Sequence, residues 1–488
     1  MVFPIAGGNE SKGYEISNSL RFNDGDSPQL NLANEGTVTN NKIFTYSVWI
    51  KKSSIESANQ SIISAESGNN RAQLLFRSGS NDAIRIVETS DAYSSFNTLL
   101  TTAALFRDPS AWYHIVLSYD STDGTAGDRV KIYVNSVLQT LSGTTADSNF
   151  TTPFNEESYN LDIGHLNNSE FLDGYMSDAH FIDGQALTPT SFGETNDNGV
   201  WIPKRYTGTF GLNGFKLEFK QTGTSTNSSG IGADTSGNDR HFAVSNLAAT
   251  DVTEDTPTNN FATLSSIDTH TTSPTLAEGN LDFTAPSGTA FTPARSTIAV
   301  SQGKWYMEYK FKTAGGGVGV MTTQSPISDH LRDDADVRSI YRGHGGYYYG
   351  RNNSGAIDDV GGNSVTLSEN DIVGVALDLD NGYVYFSKNG TYMNGQDGST
   401  AGNPASNNGG SGGAANHPSQ LLTNQHDGVW GFMAYDISTS TAGRVICNFG
   451  NIPSTIGSPN TDGKYGKFYY APPTGFYALC TKRLAEFG

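Results

Sequence analysis

Apolar and polar residues alternate over short stretches of this chain, and turn residues separate those stretches. Tyr46, Val48 and Ile50 occupy every second position of one stretch, and residues 114–119 repeat the pattern in another. Successive side chains of a β-strand point to opposite faces of a sheet. This period of two therefore predicts strands that each present one face to a core.

The clearest turn lies in residues 377–390, LDLDNGYVYFSKNG. Asn381 and Gly382 stand there between two runs of β-forming residues, which is the strongest short-range signal of a hairpin. The apolar spacing of three and four that marks a helix is not sustained anywhere, and no heptads occur that could form a coiled-coil stalk. The pattern predicts an all-β protein.

Length and composition favour more than one β domain. The 488 residues are about three times a typical domain length. A hydrophobic fraction of 36% with 55 glycines suits many short strands and turns, and an aromatic fraction of 11% supplies large side chains for a core. We expect each domain to fold unaided.

The second half of the chain resembles the SPRY domain. The segments that carry the resemblance are GKWYMEYKF, VGVALD, YVYFSKNG and VICNFG. It covers about residues 290–452. The resemblance implies a bent antiparallel β-sandwich that binds partners through loops and has no catalytic machinery.

The first half is similar to a LamG-like, concanavalin A-like jelly roll. The order of five segments carries this resemblance: SLRFNDGDSPQLNL, FTYSVWIKKSS, AWYHIVLSYD, VKIYVNSVL and FLDGYMSDAHFIDGQALT. The predicted fold class is therefore all-β, with two concanavalin-like antiparallel β-sandwiches, LamG-like and then SPRY-like, joined by an irregular connecting module.

A third resemblance concerns the origin of the chain. Residues 245–268 and 276–284 look like the linking module that joins LamG-like and SPRY-like domains in proteins of tailed bacteriophages, especially those of marine hosts, as in cyanophages. Residues 13–23 and 472–484 look like the same family. The resemblance spans nearly the whole chain and implies a virion protein.

These resemblances predict five regions. They are an N-terminal anchor or arm at 1–14, a LamG-like sandwich at 15–200, a partly ordered connecting module at 201–289, a SPRY-like sandwich at 290–452, and a C-terminal segment at 453–488 that packs back on the body.

Charge and hydropathy exclude several partners. The formal net charge of -19, from 49 acidic and 30 basic residues, would repel a phosphate backbone, so we expect no nucleic acid partner. No run of about 20 apolar residues could span a bilayer, so we expect no membrane insertion. The N-terminus lacks the basic start and apolar core of a secretory signal, which predicts synthesis in the host cytoplasm.

Two cysteines cannot form a disulfide framework in so long a chain. Cys447 and Cys480 both stand in apolar surroundings, and we expect buried free thiols at both positions. Without a CxxC pair or a Cys/His cluster, zinc is not expected.

We expect no catalytic residue and no enzymatic activity. Concanavalin-type glycosidases use two carboxylates that face one cleft. Asp378 and Asp380 share a strand face, but they lead directly into the predicted turn. The loop at residues 119–128 holds three carboxylates, yet it does not match the EF-hand spacing. We therefore predict no metal or cofactor, and calcium stays open.

Residues 339–353, SIYRGHGGYYYGRNN, crowd aromatics, arginines and glycines together, as adaptable binding surfaces do. The candidate ligand-binding residues are Tyr341, Arg342, Tyr347, Tyr348, Tyr349, Arg351 and Asn352. The alternative is that some of these tyrosines enter the sandwich core. The low-complexity loop at 394–417 is either mobile or part of a binding face.

The favoured function is a non-enzymatic protein of the virion surface, namely a tail-fibre or adhesin component that binds host cell-surface glycan or protein. The alternative is a head-fibre or capsid-decorating structural protein, and a distant third is a polysaccharide-degrading enzyme. The expected partners are other virion proteins and further copies of the chain, with a trimer as the family expectation. Many copies would give avidity from weak single sites.

Overall fold

The computed structural model describes residues 13–33, 36–55, 58–78, 82–90, 95–288, 291–327, 337–341, 348–349, 366–393, 402–406 and 428–488. It divides the chain into two compact units, the N-terminal unit, Ser11–Thr258, and the C-terminal unit, Asn259–Gly488. The division falls inside the predicted connecting module, and the predicted domain boundaries stay predictions.

The N-terminal unit consists of short strands joined by turns. Its strands are β1 (Ser19–Phe22), β2 (Gln29–Leu32), β3 (Ile43–Lys52), β4 (Gln60–Ser67), β5 (Asn70–Phe76), β6 (Ile84–Ser90), β7 (Ser95–Thr102), β8 (Trp112–Asp120), β9 (Val130–Val134), β10 (Val137–Leu138), β11 (Leu141–Thr144), β12 (Asn160–Ile163), β13 (Gly174–Asp183), β14 (Gly193–Thr195), β15 (Trp201–Pro203), β16 (Phe215–Leu217), β17 (Ala243–Ser245) and β18 (Val252–Thr253). Its 3-10 helices are Asp24–Asp26, Ala126–Asp128, Pro153–Asn155, Pro189–Ser191 and Ala249–Asp251.

Two antiparallel sheets form the sandwich of the N-terminal unit. The front sheet has the order β10-β9-β8-β3-β13-β1-β18, with β16 beside β13. The back sheet has the order β11-β7-β6-β5-β4-β12-β2-β17. One apolar core receives Phe44 and Ile50 from the front sheet and Leu74 and Ile86 from the back sheet. Burial between the two inner faces is the main source of stability.

The alternation in β8 sorts its side chains as the sequence predicts. Ile115 and Leu117 enter the core between the sheets. Val116 points the other way and packs in a second apolar cluster with Ile182 and Phe192. Both faces of this central strand are therefore buried, which explains its apolar content.

The C-terminal unit is a second sandwich. Its strands are β19 (Leu264–Thr269), β20 (Thr275–Ala277), β21 (Asp282–Thr284), β22 (Ala294–Val300), β23 (Lys304–Phe311), β24 (Gly316–Thr322), β25 (Val337–Tyr341), β26 (Tyr348–Tyr349), β27 (Ile372–Asp378), β28 (Tyr383–Lys388), β29 (Thr391–Tyr392), β30 (Trp430–Asp436), β31 (Arg444–Asn448) and β32 (Tyr477–Ala478). It also contains the 3-10 helix Pro404–Ser406 and the α-helix α1 (Thr481–Phe487).

Its sheets have the orders β19-β22-β30-β24-β25-β26 and β20-β21-β31-β23-β27-β28-β29. β32 lies parallel to the start of β23, where Trp305 pairs with Tyr477. Trp305 and Val375 from one sheet meet Val318 and Phe432 from the other in the core. The all-β prediction is confirmed: the described residues fold into β-sandwich units of antiparallel sheets.

Two further predictions are confirmed in the C-terminal unit. β27 and β28 form the predicted hairpin, with Asp378 opposite Tyr383, and Gly382 takes the positive φ of 77° that the turn requires. Cys447 and Cys480 are free and buried. The described part of the chain contains no helix with the length and hydropathy of a membrane span.

Candidate functional site

The residues predicted to bind a ligand fall into two groups. The structure describes the backbone of Tyr341, Tyr348 and Tyr349, which lie in β25 and β26. The other four, Arg342, Tyr347, Arg351 and Asn352, lie outside the described residues, and so does most of the 394–417 loop. This binding site stays a prediction.

The carboxylates of the 119–128 loop are engaged in local hydrogen bonds. Asp120 accepts from the backbone and hydroxyl of Thr122, at 2.9 and 2.5 Å. Asp128 forms an ion pair with Lys131. Within the described ranges, no three His, Cys, Asp or Glu side chains lie close enough together to hold a metal ion.

A cleft of about 300 Å³ opens at one end of the back sheet of the N-terminal unit. We call it the N-terminal cleft. Its lining residues are Asn70, Thr89, Ser95, Phe96, Asn97, Asp147, Phe150, Thr151, Pro153 and Tyr159. They come from the adjacent strands β5, β6 and β7 and from residues 145–159, the loop that joins β11 to β12. The volume lies at the lower end of the range for small-molecule sites, about 300–1,000 Å³.

A β-bulge shapes the strand wall of the cleft. Glu88 pairs with Thr98 and Thr89 pairs with Phe96, so Asn97 has no opposite residue on β6. A bulge of this kind bends its strand and redirects a side chain. Here it brings both Phe96 and Asn97 to the lining of the cleft.

The loop wall is built by a short turn. The backbone N–H of Phe150 donates to the carbonyl of Asp147 at 3.3 Å, and Asn149 has a φ of 61°. Asn tolerates this left-handed conformation better than most residues do. The turn places Asp147 and Phe150 in the lining of the same cleft.

One side-chain pair joins the two walls. The Asn97 Nδ2 donates to Asp147 Oδ2 at 3.0 Å. The Oδ1 of Asp147 accepts no hydrogen bond from the described residues, and the Asp147 side chain is exposed. The pair therefore offers both an amide and a carboxylate oxygen to a ligand.

Aromatic rings supply the apolar part of the lining. Phe96 is 41% exposed, so part of its ring surface is accessible to a ligand. Phe150 and Tyr159 are half-buried, and Tyr159 packs against the core. Flat rings beside amide and carboxylate groups can bind a molecule that has an apolar face and a polar rim.

A buried carboxyl group connects the two walls of the cleft through hydrogen bonds. Glu88 is inaccessible to solvent and accepts hydrogen bonds from the hydroxyls of Thr98, Tyr119 at 3.0 Å and Thr152 at 2.5 Å. Burial raises the pKa of the Glu88 carboxyl, although these hydrogen bonds lower it in part. Because Thr98 follows Asn97 and Thr152 lies in the loop wall, Glu88 connects both walls.

The sequence patterns do not identify the residues of this cleft. One sequence feature does point to it: residues 145–159 form a connection that is longer than most loops. This connection contains Asp147, Phe150 and Tyr159 among turn-forming residues. The bulge at Asn97 had no signal, because pairing register depends on residues far away in the chain.

Residues 24–191 match a laminin G family model described as the concanavalin A-like lectin/glucanases superfamily. The match covers about a third of the chain and includes all of the residues that line the N-terminal cleft. Among curated proteins, none matches this chain.

Three solved structures are each similar to part of this chain. The SPRY domain of human HERC1 is 14% identical with a TM-score of 0.27, over 38% of this chain and 96% of that one. A heptameric SAP-like pentraxin from Limulus polyphemus is 16% identical with a TM-score of 0.27, over 36% and 80%. Domain 4 of AbnA, an extracellular arabinanase from Geobacillus stearothermophilus solved with arabinotriose, is 15% identical with a TM-score of 0.24, over 32% and 73%.

Proposed function

We propose that this chain is a non-enzymatic binding protein of a tailed-phage virion surface, and that its N-terminal cleft binds a saccharide of the host cell surface. The phage assignment is supported by the resemblance of residues 245–268 and 276–284 to a phage linking module. The match of residues 24–191 to a superfamily of lectins and glucanases supports a carbohydrate-directed binding role.

The observation that carries the proposal is the combination of exposed Phe96 with the Asn97–Asp147 pair in one cleft. A pyranose ring has C–H groups that pack on an aromatic face and hydroxyls that both donate and accept. The Asp147 carboxylate accepts from such hydroxyls, and charge-assisted bonds of this kind are stronger than neutral ones.

The lining favours binding over hydrolysis. Glycosidases need two carboxyl groups, about 5–5.5 Å apart when retaining and about 6.5–9.5 Å apart when inverting. Asp147 is the one carboxylate among the described lining residues of the cleft. Glu88 lies behind the cleft, inaccessible to solvent, with its oxygens bonded to three hydroxyls.

Display of many copies on one particle would give high avidity even if each single site is weak. Several copies on one virion would raise the effective concentration of each further site, so avidity could exceed the affinity of a single cleft by about 10²–10⁴. The partners in this proposal are other virion proteins, further copies of the chain and the host glycan.

The proposal is tested by applying the intact chain to a glycan array and to host cells, beside the Phe96→Ala variant. Leu105→Ala is a matched control, because Leu105 is 43% exposed and lies outside the cleft lining. We expect binding by the native chain and by Leu105→Ala, and a loss of about tenfold or more in Phe96→Ala.

Other outcomes would contradict parts of the proposal. If Phe96→Ala bound as strongly as the native chain, the cleft would not be the glycan-binding site. Absence of binding by the native chain, even as an oligomer, would favour the head-fibre or capsid-decorating role. Release of reducing sugar from a bound glycan would show hydrolysis.

A further inference from the structure

The C-terminal unit has a concave surface of its own, a groove of about 480 Å³. We call it the C-terminal groove. Four segments enclose it: the start of β23, the turn after β27, the loop before β32 and the end of α1. These segments meet because β32 pairs with the start of β23 and Asp378 pairs with Lys304.

An aromatic pair forms one wall of the groove. The rings of Tyr477 and Phe487 stack with centroids 3.8 Å apart and planes 7° apart. Phe487 is 39% exposed and Tyr477 is half-buried. The pair therefore presents a large ring surface to solvent.

Arg483 fixes this aromatic wall. Its guanidinium lies 4.7 Å from the Tyr477 ring centroid and 5.5 Å from that of Phe487. Its Nε and Nη2 donate to the buried carboxylate of Asp462 at 2.9 and 2.8 Å. The rings are thus held in place before any ligand arrives, which reduces the entropy lost on binding.

Gly303 allows the end of α1 to approach β23 closely. It has a φ of 85°, and a Cβ at this position would lie 2.6 Å from the carbonyl oxygen of Phe487. A larger residue would push Phe487 away from the groove. The glycine is therefore needed for the shape of this surface.

Polar groups surround the rings. Asp380 Oδ1 accepts from the backbone N–H of Gly303 at 2.8 Å, which leaves Oδ2 without a hydrogen bond among the described residues. The side chains of Gln302 and Thr474 are exposed and likewise form none within the described part of the chain. The groove thus combines fixed rings with uncommitted donors and acceptors.

We propose that the C-terminal groove is a second saccharide-binding site, specific for a neutral pyranoside that packs on Phe487 and donates a hydroxyl to Asp380. The lining holds one carboxylate, Asp380, and one cation, Lys304, and the charge of Lys304 is already offset by the buried Asp378, which pairs with its Nζ at 2.8 Å. An acidic sugar would be repelled. The site goes beyond the proposed function because every residue in it belongs to the other unit.

The test uses the intact chain with 4-fluorophenylalanine at position 487 alone, and a second sample labelled at position 96 alone. Each is titrated with methyl glucosides, galactosides and mannosides and followed by fluorine NMR. We expect the signal at position 487 to shift saturably, and to do so equally in a Phe96→Ala background. Methyl glucuronoside should bind at least about fivefold more weakly.

Two further variants separate binding from folding. Asp380→Asn keeps an oxygen that accepts from Gly303 but loses the charge, and we expect affinity at position 487 to fall about fivefold. Glu369→Gln is the matched control. Glu369 is exposed and lies shortly before the first residue of β27, whereas Asp378 is the last residue of that strand. This control should leave the shift unchanged.

The outcomes distinguish the two sites. A response at position 96 without one at position 487 would overturn the second site and leave the proposed function intact. A response at position 487 without one at position 96 would support the second site and overturn saccharide binding by the N-terminal cleft. Equal binding of the neutral and acidic glycosides, or an unchanged affinity in Asp380→Asn, would overturn the assigned ligand class.

Discussion

The Asn97 Nδ2 donates a hydrogen bond to Asp147 Oδ2 at 3.0 Å, although the two residues lie 50 positions apart in the sequence. This pair joins the bulged start of β7 to the loop between β11 and β12. Both partners are in contact with solvent, so the bond contributes only about 0–1 kcal/mol to the free energy of unfolding. Ligand binding and stability can therefore be separated at this position.

We predict that Asn97→Ala lowers saccharide affinity about tenfold while the free energy of unfolding changes by less than about 1 kcal/mol. The side chain is lost from the lining, but no buried group loses its partner. Calorimetric titration and urea unfolding measure the two effects. Asn97→Asp should weaken binding further, since two carboxylates would then repel each other. Unchanged affinity in Asn97→Ala would exclude the pair from recognition.

Glu88→Gln should be tolerated, with a loss of about 1 kcal/mol or less in the free energy of unfolding. The partners of Glu88 are hydroxyls, and a hydroxyl can rotate to accept from the new amide. Glu88→Ala should lower the free energy of unfolding by more, about 2–4 kcal/mol, because three buried hydroxyls lose this acceptor and a cavity forms. Urea unfolding of both variants is the measurement. Equal losses in the two variants would contradict this account.

The sequence predicts the fold well because the relevant signals are local. Alternation in residues 114–119 identifies a strand and its core-facing side, and Asn381 with Gly382 identifies a hairpin. These patterns need no knowledge of distant residues. The apolar surroundings of Cys447 and Cys480 predict their burial for the same reason.

The two concave surfaces could not be predicted in this way. Asn97 meets Asp147 only because β7 is bulged and the later loop returns to its end. Phe487 reaches the groove only because β32 pairs with β23. Such contacts are set by tertiary pairing over long separations, which neither period nor turn chemistry encodes.

Glu308→Gln should be much less tolerated than Glu88→Gln. Each Glu308 oxygen accepts one backbone N–H, from Tyr470 at 2.8 Å and from Tyr469 at 2.7 Å. A backbone N–H cannot reverse its direction, so the amide of Gln must face a donor in either orientation. We expect a loss of about 1–3 kcal/mol in the free energy of unfolding. A smaller loss than in Glu88→Gln would contradict the argument.

Glu308 also predicts a pH dependence for the C-terminal unit. Burial raises its pKa to about 7, although hydrogen bonds from Tyr469, Tyr470, Tyr306 and Asn448 lower it in part. The folded state therefore binds more protons than the unfolded state between about pH 4.5 and 7. Its contribution to stability is present at low pH and is lost as pH rises through this window. The stability difference between the native chain and Glu308→Gln should shrink from pH 5 to pH 8, and a constant difference would contradict the prediction.

His114 predicts the opposite trend in the N-terminal unit. Its Nδ1 accepts from Trp201 Nε1 at 3.0 Å, so its other nitrogen, Nε2, carries the proton that is donated to Ser47 Oγ at 2.9 Å. The buried ring is thus neutral, and burial, with a smaller effect of His180, lowers its pKa to about 3. Between about pH 3 and 6.5 His114 binds more protons in the unfolded state, so its contribution to the free energy of unfolding rises with pH by at most about 1.4 kcal/mol per unit.

His114→Gln should remove this contribution. An amide can still accept from Trp201 and donate to Ser47, but it does not titrate. Urea unfolding from pH 4 to 7, followed through fluorinated tryptophan at position 49, reports the N-terminal unit alone because Trp49 stacks on His114. We expect the slope of the free energy of unfolding against pH to be less positive in the variant than in the native chain. The comparison rests on the difference between the two proteins, because His165, whose pKa burial lowers to about 4, and Asp162, whose pKa burial raises to about 6, titrate in both. Identical slopes in both proteins would show that His114 is charged in the folded state or already neutral in the unfolded one.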